Sequence, residues 1–327
     1  MKYFCTYFDS HYLGRGLALY ESLRRHCRAF RLWVLCMDDE CHRRLAALAL
    51  PGIEPIALAD FERGDAELLR VKPNRSRIEY YFTCSPTLPL YVFRIAPEVD
   101  LVTYLDADLF FFGDPQPLHD ELGDGSVGII AHRFPPHLRG LEQHGVYNVG
   151  WLSFRRDEDG LACIEWWRDR CIEWCHDRCE EGRFADQKYL DCWPELFRGV
   201  RVLHHKGANL APWNLVNYRL EVEGSTVHVD GEPLIFFHFH GLKQVAPGLW
   251  NPNLVPFGSW ACTVVRRQIY GPYIRALRAA PGSSVSDGIR SPGPQLKTWR
   301  QRVDHLRVLM RGAYAGHYFV SVAGHLL

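Results

Sequence analysis

Three kinds of feature are missing from this sequence, and each absence excludes a class of protein. The formal net charge of the 327 residues is zero at pH 7, so we expect no nucleic-acid partner. No window approaches the roughly 18 uncharged apolar residues of a membrane-spanning helix. The first residues, MKYFCTYFDSHYLGRG, contain one Lys and then an Asp where a signal peptide would continue its apolar core. We therefore expect a globular protein without a signal peptide.

The cysteines do not suggest a disulfide framework. Eleven is an odd number, and they are scattered through predicted strands and helices, which favours free thiols in a reducing cytosol. Cys171, Cys175 and Cys179 recur every four residues, so we predict that they share one face of a helix. Their spacing is not the C-x-x-C of zinc sites, and we interpret them as packing residues. The cysteine usage predicts a cytoplasmic location.

The first hundred residues alternate between strand and helix patterns. The predicted strands cover 2–8, 30–37 and 53–61, and the predicted helices cover 12–27, 38–50 and 85–97. This order predicts an α/β fold with a mostly parallel sheet that is covered by helices on both faces. In such sheets ligands bind beyond the carboxyl ends of the strands.

Later segments continue this pattern and then change character. Strands are predicted at 126–132, 145–156, 200–205 and 233–241, and a long helix over 160–182 that ends at Gly182. A Ser-, Gly- and Pro-rich stretch at 280–294 predicts a linker. From residue 266 onward ten Lys and Arg face two Asp, a charge of +8 that leaves −8 for residues 1–265. This asymmetry predicts a separate task for the basic tail.

The segment TYLDADLFFF, residues 103–112, places two carboxylates inside an apolar run. Asp is a poor strand former, and a buried unpaired carboxylate is costly. In a strand, Asp106 and Asp108 would project from the same face while Ala107 points away. Two like charges so close together call for a cation between them, and paired carboxylates suit Mg²⁺ or Mn²⁺. The pair predicts a metal site, and the alternative is two aspartates at a fraying strand end.

This segment resembles the metal-binding D-x-D of the GT-A nucleotide-sugar glycosyltransferases, family 8 in particular. Further matches follow in the family's order at YFDSHY (7–12), YNVGWLSF (147–154), RFADQKYLDCW (183–193) and FHFHGLK (237–243). The resemblance implies a GT-A fold, a Rossmann-like sheet flanked by helices, over residues 1–265. Its nucleotide-binding half would cover about 1–112 and its acceptor and sugar half about 113–265. Residues 266–327 would form a basic helical extension.

The resemblance also assigns residues to the donor and to catalysis. The residues that it places around the base and ribose are Tyr7, Asp9, His11 and Tyr12. Tyr12 would stack on the base, whereas His11 stands where the family has Asn. Asn148 and Gly150 would line the sugar pocket. Asp186 and Gln187 would lie over the donor's reacting carbon as catalytic residues.

A metal shell and a phosphate clamp complete the resemblance. Asp106 and Asp108 would bind the cation, and Asp106 would also contact the donor. His238 would complete the shell, with His240 as a second candidate because it lies on the same predicted strand face. Lys243 would grip the diphosphate, although it lies one residue closer to His238 than in the family. An imidazole ligand favours Mn²⁺ over Mg²⁺.

Two further segments allow either a functional or a structural interpretation. KPNRSRIEYYF (72–82) carries Arg75 and Arg77, which would form a fork on the donor's diphosphate or nucleoside, or else belong to a solvated loop. Trp213 would stack on a sugar or fill a loop core.

The basic tail contains an amphipathic pattern over 295–310. Its apolar stripe consists of Leu296, Trp299, Val303, Leu306 and Met310. Such a helix can lie on an anionic membrane, and we favour the inner face of the cell membrane, where lipid-linked acceptors reside. Docking on the catalytic body or on a second subunit is the alternative.

These observations predict a metal-dependent, hexosyltransferase-type enzyme that uses Mn²⁺ or Mg²⁺. It would move a sugar from a UDP-linked donor to a glycan or a lipid-linked acceptor, with retention. If Asp186 instead acts as a general base on the acceptor, inversion would follow. One alternative is a nucleotidyltransferase, although SHYLGRG is a poor match to the Gly-rich basic loop of that class. Another is a non-catalytic protein that binds a nucleotide or a sugar.

Overall fold

The computed structural model describes residues 1–280, 317–322 and 325–326. The strands are β1 (Lys2–Phe8), β2 (Phe30–Cys36), β3 (Ile53–Ala57), β4 (Leu101–Leu105), β5 (Leu109–Phe111), β6 (Val127–Ala131), β7 (Tyr147–Arg155), β8 (Val200–Val202), β9 (Leu220–Glu223), β10 (Thr226–Val229), β11 (Glu232–Pro233), β12 (Phe236–His238), β13 (Lys243–Ala246), β14 (Leu249–Asn251), β15 (Phe319–Val322) and β16 (His325–Leu326). The α-helices are α1 (Leu13–His26), α2 (Asp39–Leu48), α3 (Leu58–Glu62), α4 (Ala66–Val71), α5 (Arg77–Ile95), α6 (Gln116–Leu122), α7 (Glu158–Glu173), α8 (Trp193–Leu196) and α9 (Gly271–Ala279). Short 3₁₀ helices lie at Lys72–Asn74, Pro136–His144, Lys188–Cys192, Leu215–Asn217 and Val255–Phe257, and a π-helix at Val265–Tyr270.

A seven-stranded sheet forms the centre of the molecule. Its strand order is β3-β2-β1-β4-β7-β6-β8. The neighbours β1–β2, β2–β3, β1–β4 and β6–β8 pair in parallel, and β7 pairs antiparallel with both β4 and β6. Apolar clusters cover both faces of the sheet, because strands with two buried faces need apolar partners on each. The predicted mostly parallel α/β fold is confirmed.

Helix α5 begins eight residues earlier than predicted. Its start is fixed by a capping box in which Ser76 and Glu79 each accept a hydrogen bond from the other's main-chain N–H. Pro86 and Pro89 both lie inside this helix. Capping therefore sets the beginning of α5 despite the helix-breaking residues that follow.

Helix α7 ends at Glu173, nine residues before the predicted end at Gly182. Trp174 is extended, and the Arg75 guanidinium donates a hydrogen bond of 3.1 Å to the Ile172 carbonyl in the last turn. The prediction that three cysteines share a helical face is wrong, because Cys175 is buried beyond the helix and Cys179 is exposed. All eleven cysteines lie among the described residues as free thiols.

The predicted strand over 103–112 is broken at its two aspartates. Strand β4 ends at Leu105 and β5 begins at Leu109, with a turn closed by a 3.2 Å hydrogen bond from the Leu109 N–H to the Asp106 carbonyl. Strand β5 then leaves the main sheet and pairs antiparallel with β12, where His238 lies opposite Leu109. The argument from strand alternation was therefore wrong. The turn and this second pairing position the carboxylates.

Residues 265–280 pack into the body. The Tyr273 ring of α9 stacks on Phe239 at 3.8 Å, and Phe319 lies edge-on to Tyr270 at 5.1 Å. The predicted boundary at 265/266 falls within this packed cluster. Most of the predicted linker and the whole amphipathic segment 295–310 lie outside the described residues. Within the described ranges, no helix has both the length and the apolar character that a bilayer crossing requires.

His119 in α6 links the stability of the sheet to pH. Its ring lies 6.4 Å from Phe4 and 5.8 Å from Trp151, and no described residue hydrogen-bonds its Nε2 atom. Burial, together with the nearby charge of Lys2, lowers the pKa of His119 to about 4. The unfolded chain therefore binds a proton at this position more readily than the folded chain does.

We expect the free energy of unfolding to fall as the pH is lowered from 6.5 toward 4. His119→Gln should remove roughly 2 kcal/mol of that loss, because the variant has no imidazole to protonate on unfolding. Urea unfolding at pH 7 and pH 4.5 measures the difference, with His204→Gln on the exposed surface as the control. An unchanged pH dependence in His119→Gln would contradict the assignment.

Candidate active site

A cavity of about 930 Å³ opens at the carboxyl edge of the sheet. Tyr7 and Asp9 reach it from the end of β1, and Asp106 and Asp108 reach it from the turn after β4. The carboxyl ends of neighbouring parallel strands meet at one edge, so residues distant in sequence converge there. This is the edge where the sequence predicted a ligand site.

Two carboxylates and an imidazole converge on one face of this cavity. Asp106, Asp108 and His238 each place a ligand atom within 4.8 Å of the others. The His238 Nε2 atom lies 3.1 Å from Asp108 Oδ1 and 3.7 Å from Asp106 Oδ2. The pairing of β5 with β12 brings His238 to this position.

Asn148 fixes the orientation of the His238 ring. The Asn148 Oδ1 atom lies 3.3 Å from His238 Nδ1 and accepts a hydrogen bond of 3.0 Å from the Gly150 N–H. The Asn148 Nδ2 atom lies 3.2 Å from Nε2 of His132, whose Nδ1 is 3.2 Å from the Val146 carbonyl. These contacts assign a proton to His238 Nδ1 and turn Nε2 toward the carboxylates.

The cluster is electrostatically frustrated without a cation. Burial, opposed by the nearby His238, raises the pKa of Asp106 above its ordinary value. His238 and its hydrogen bond outweigh burial at Asp108 and lower the pKa of that carboxyl. The two carboxylates raise the pKa of His238 although burial lowers it. Without a cation, protons held by the carboxylates and the imidazole offset the negative charge of the cluster. A divalent cation would replace those protons, since two carboxylate oxygens and one imidazole nitrogen fit Mn²⁺ or Mg²⁺.

His240 does not join the cluster. Strand β12 ends at His238, so the strand alternation that made the two histidines equivalent stops there. His240 is exposed, with its ring 6.1 Å from that of His238. Of the two candidates, His238 has the geometry of a ligand.

Asp9 lies in a second group of polar and aromatic residues that line the cavity. Its carboxylate pairs with Arg77 and accepts hydrogen bonds of 3.2 Å from the Tyr81 hydroxyl and 3.0 Å from the Tyr12 N–H. The Tyr12 ring lines the cavity, and the Arg15 guanidinium lies 4.2 Å from the centre of that ring. This part of the lining therefore presents the Tyr12 ring beside the ion pair of Asp9 and Arg77.

Asp186 and Gln187 lie in the cavity wall just before the 3₁₀ helix Lys188–Cys192. Asp186 is 4% exposed, and burial raises its pKa to about 7, with the nearby Asp106 adding to the shift. The Gln187 side chain accepts a 3.4 Å hydrogen bond from Asn148 and donates one of 3.1 Å to the His144 carbonyl. The structure thus brings both residues to the same cavity as the carboxylate–imidazole cluster.

Four residues of the predicted site do not line this cavity. His11 and Arg75 line a neighbouring cavity of about 550 Å³, and the Arg75 guanidinium donates a hydrogen bond to the Ile172 carbonyl at the end of α7. Lys243 is exposed at the start of β13. A Cβ atom on Gly150 would lie 2.6 Å from Asn148 Oδ1 and 3.0 Å from His238 Cε1. Gly150 therefore makes room for the imidazole.

Sequence reasoning missed much of the remaining lining of the cavity. The lining residues that it did not single out include His132, Phe134, Leu141, His144, Phe184 and Phe257. They come from residues 132–144 and from two distant positions, so no single spacing in the sequence links them. Trp213 was singled out, and it lines the same cavity with its indole N–H donated to the His132 carbonyl at 2.9 Å.

No protein-family model matches the chain. Two proteins of Bacillus subtilis (strain 168) do. The uncharacterized protein YfnF is 36% identical over 251 residues, which are 74% of this chain and 82% of YfnF. The uncharacterized protein YfnD is 31% identical over 279 residues, which are 84% of this chain and 88% of YfnD.

Among solved structures, the apo structure of the bifunctional glycosyltransferase WbbM is similar with a TM-score of 0.51. The match covers 86% of this chain and 50% of WbbM at 14% identity. At this identity the similarity shows the fold alone, and that fold is the GT-A sheet flanked by helices. The chain thus belongs to the same family as YfnF and YfnD, and it has a GT-A fold.

Proposed function

We propose that this protein is a metal-dependent glycosyltransferase that uses a UDP-linked sugar donor. The single observation that carries the proposal is the cluster of Asp106, Asp108 and His238 beside a large cavity at the carboxyl edge of a GT-A sheet. The acceptor class is a glycan or a lipid-linked glycan, and the transfer retains the configuration of the anomeric carbon. The configuration of the first-formed product, read from its anomeric proton coupling, tests retention.

The reaction exchanges one bond at the anomeric carbon for another. The bond from that carbon to the diphosphate oxygen breaks, and the bonding pair leaves with the nucleoside diphosphate. A new bond forms to the acceptor hydroxyl oxygen, whose proton passes to the departing phosphate or to solvent. No redox partner is needed.

The lining residues divide between binding and chemistry. Asp106, Asp108 and His238 would hold Mn²⁺ or Mg²⁺, which supplies positive charge to the departing diphosphate. Tyr12 would stack on the base, with Asp9 and Arg77 beside it. The side chains of Asp186 and Gln187 would face the reacting carbon.

Nucleotide-sugar turnover with and without metal tests the proposal. We expect UDP release from one of UDP-glucose, UDP-galactose or UDP-N-acetylglucosamine in Mn²⁺, and its loss in EDTA. UDP binding by calorimetry should likewise depend on Mn²⁺. Absence of both signals would overturn the proposal. UDP binding without release from any UDP-sugar would favour a non-catalytic binding protein, and pyrophosphate release from a nucleoside triphosphate would identify a nucleotidyltransferase.

The proposal places the enzyme in the cytoplasm. Eleven free thiols, of which eight are buried, are consistent with a reducing compartment. A peripheral contact of segment 295–310 with the inner face of the membrane is part of the same proposal. Flotation with anionic vesicles, comparing the full chain with one that lacks residues 295–310, tests that contact.

A further inference from the structure

Two groups of lining residues have different chemistry. One group consists of Asp9 and its partner Arg77, where the proposed function places the nucleoside. The other consists of three aromatic side chains that we name the aromatic wall: Phe134, Trp213 and Phe257. The wall has no role in the donor contacts described above.

The aromatic wall is continuous up to the carboxylate–imidazole cluster. The Phe134 ring stacks on His132 at 4.7 Å with an interplanar angle of 8°. Trp213 is edge-on to His132 at 5.3 Å and to Phe257 at 6.3 Å. It is also edge-on to the proposed metal ligand His238 at 5.2 Å. A ligand lying against this wall would therefore lie beside the place where sugar transfer is proposed.

Hydrogen bonds hold the wall rigid while part of it stays accessible. The His132 carbonyl accepts from Trp213 Nε1 and from Asn214 Nδ2, both at 2.9 Å. Phe134 and Phe257 are half-buried, so part of each ring faces the cavity. Fixed, accessible aromatic faces are suited to bind the apolar face of another ring.

The charges around the cavity disfavour an anionic ligand at this wall. Among the described lining residues, Arg77 alone is a Lys or Arg, and it pairs with Asp9. The aspartates of the lining are Asp9, Asp106, Asp108, Asp177 and Asp186. A phosphate or carboxylate beside the wall would therefore find no Lys or Arg of the described lining free to pair with it, and its desolvation would go uncompensated.

We infer that the acceptor is a neutral molecule whose sugar or aryl ring stacks on the aromatic wall. The inference rests on the proposed function and adds the chemical class of the second substrate. It excludes acceptors whose phosphate adjoins the reacting hydroxyl. A lipid-linked glycan fits only if its charged linkage stays outside the cavity.

Matched neutral and anionic probes test the class of acceptor. The probes are the phenyl β-glycosides of glucose, galactose and N-acetylglucosamine, each compared with its 6-phosphate, on the full chain saturated with UDP and diamagnetic Mg²⁺. Saturation-transfer NMR with competition gives the Kd values. We expect the best neutral probe to bind at least about tenfold more tightly than its phosphate. Equal or tighter binding of the phosphates would overturn the inference.

Two wall variants from separate segments locate the binding surface. Phe134→Ala and Phe257→Ala should each raise the Kd of the best neutral probe by about tenfold. The control is Trp260→Ala, an aromatic that is 76% exposed, lies three residues from Phe257 and does not line the cavity. It should change the Kd less than twofold. Wild-type affinity in both folded wall variants, or an equal loss in the control, would refute the wall as the site.

The two proposals fail in distinguishable ways. A wild-type chain that neither binds UDP nor releases it from UDP-sugars removes the proposed function, and the inference with it. A chain that hydrolyses UDP-sugars but prefers phosphorylated probes removes the inference alone. Thermal unfolding of each variant identifies any loss of binding that comes from misfolding.

Discussion

Asp108→Asn should lower metal-dependent turnover by at least about 10³-fold and leave the fold intact. The substitution keeps the side-chain volume but removes a negative charge from an oxygen that lies 3.1 Å from His238 Nε2. The proposed cation would lose an anionic ligand, and the departing diphosphate would lose much of its stabilisation. Asp106→Asn should act in the same direction, because its Oδ2 completes the cluster.

Turnover of a UDP-sugar and Mn²⁺ affinity by calorimetry measure this effect. Asp124→Asn provides the control, since the Asp124 side chain is 95% exposed and lines neither of the two cavities. Circular dichroism and thermal unfolding verify the fold of each variant. Near-normal activity of Asp106→Asn or Asp108→Asn would show that the proposed metal role is wrong.

Gly150→Ala should weaken Mn²⁺ binding by about 10- to 100-fold, although the residue touches neither metal nor donor. The new methyl group would lie 2.6 Å from Asn148 Oδ1 and 3.0 Å from His238 Nδ1. These are the two atoms whose contact orients the imidazole. Either the ring or the amide must move, and the Nε2 atom moves with it.

Gly128→Ala is the matched control for this substitution. Gly128 lies in the adjacent strand β6, where the nearest atoms to an added Cβ are the side-chain carbons of Leu122 and Ser153 at 3.4 Å. Both variants remove a strand glycine, so they share its backbone and propensity effects. Saturation of activity with Mn²⁺ gives the apparent affinities. An equal loss in both variants would refute the orienting role of Gly150.

The alternation of apolar runs was sufficient to predict the α/β sheet, because buried parallel strands must be apolar on both faces. The break at Asp106 and Asp108 was not predicted. Asp106 and Asp108 are poor strand formers, which favours a break in the strand. The Leu and Phe residues on either side nevertheless read as one continuous apolar strand, so the turn between β4 and β5 was not recognised. The early end of α7 was missed for a related reason, since Arg75, distant in sequence, bonds its last turn.

The candidate site was predicted in part because its ligands lie in short segments with unusual composition. Asp106, Asp108 and His238 follow apolar strands, where charge demands an explanation. The choice between His238 and His240 as the third ligand required the structure, because the sequence does not show that β12 ends at His238. The aromatic wall required the tertiary structure, since Phe134 and Phe257 are distant in sequence and only the fold brings them together.

The pairing of β5 with β12 makes the proposed cation site depend on a segment that is synthesised late. Asp106 and Asp108 are synthesised early, whereas His238, which completes the cluster, is synthesised only after β8, the last strand of the central sheet. A nascent polypeptide can therefore assemble most of its scaffold while holding only two of the three side chains of the proposed cation site. The third side chain of the proposed site then arrives in one late step, when the three residue pairs between β5 and β12 form outside the central sheet.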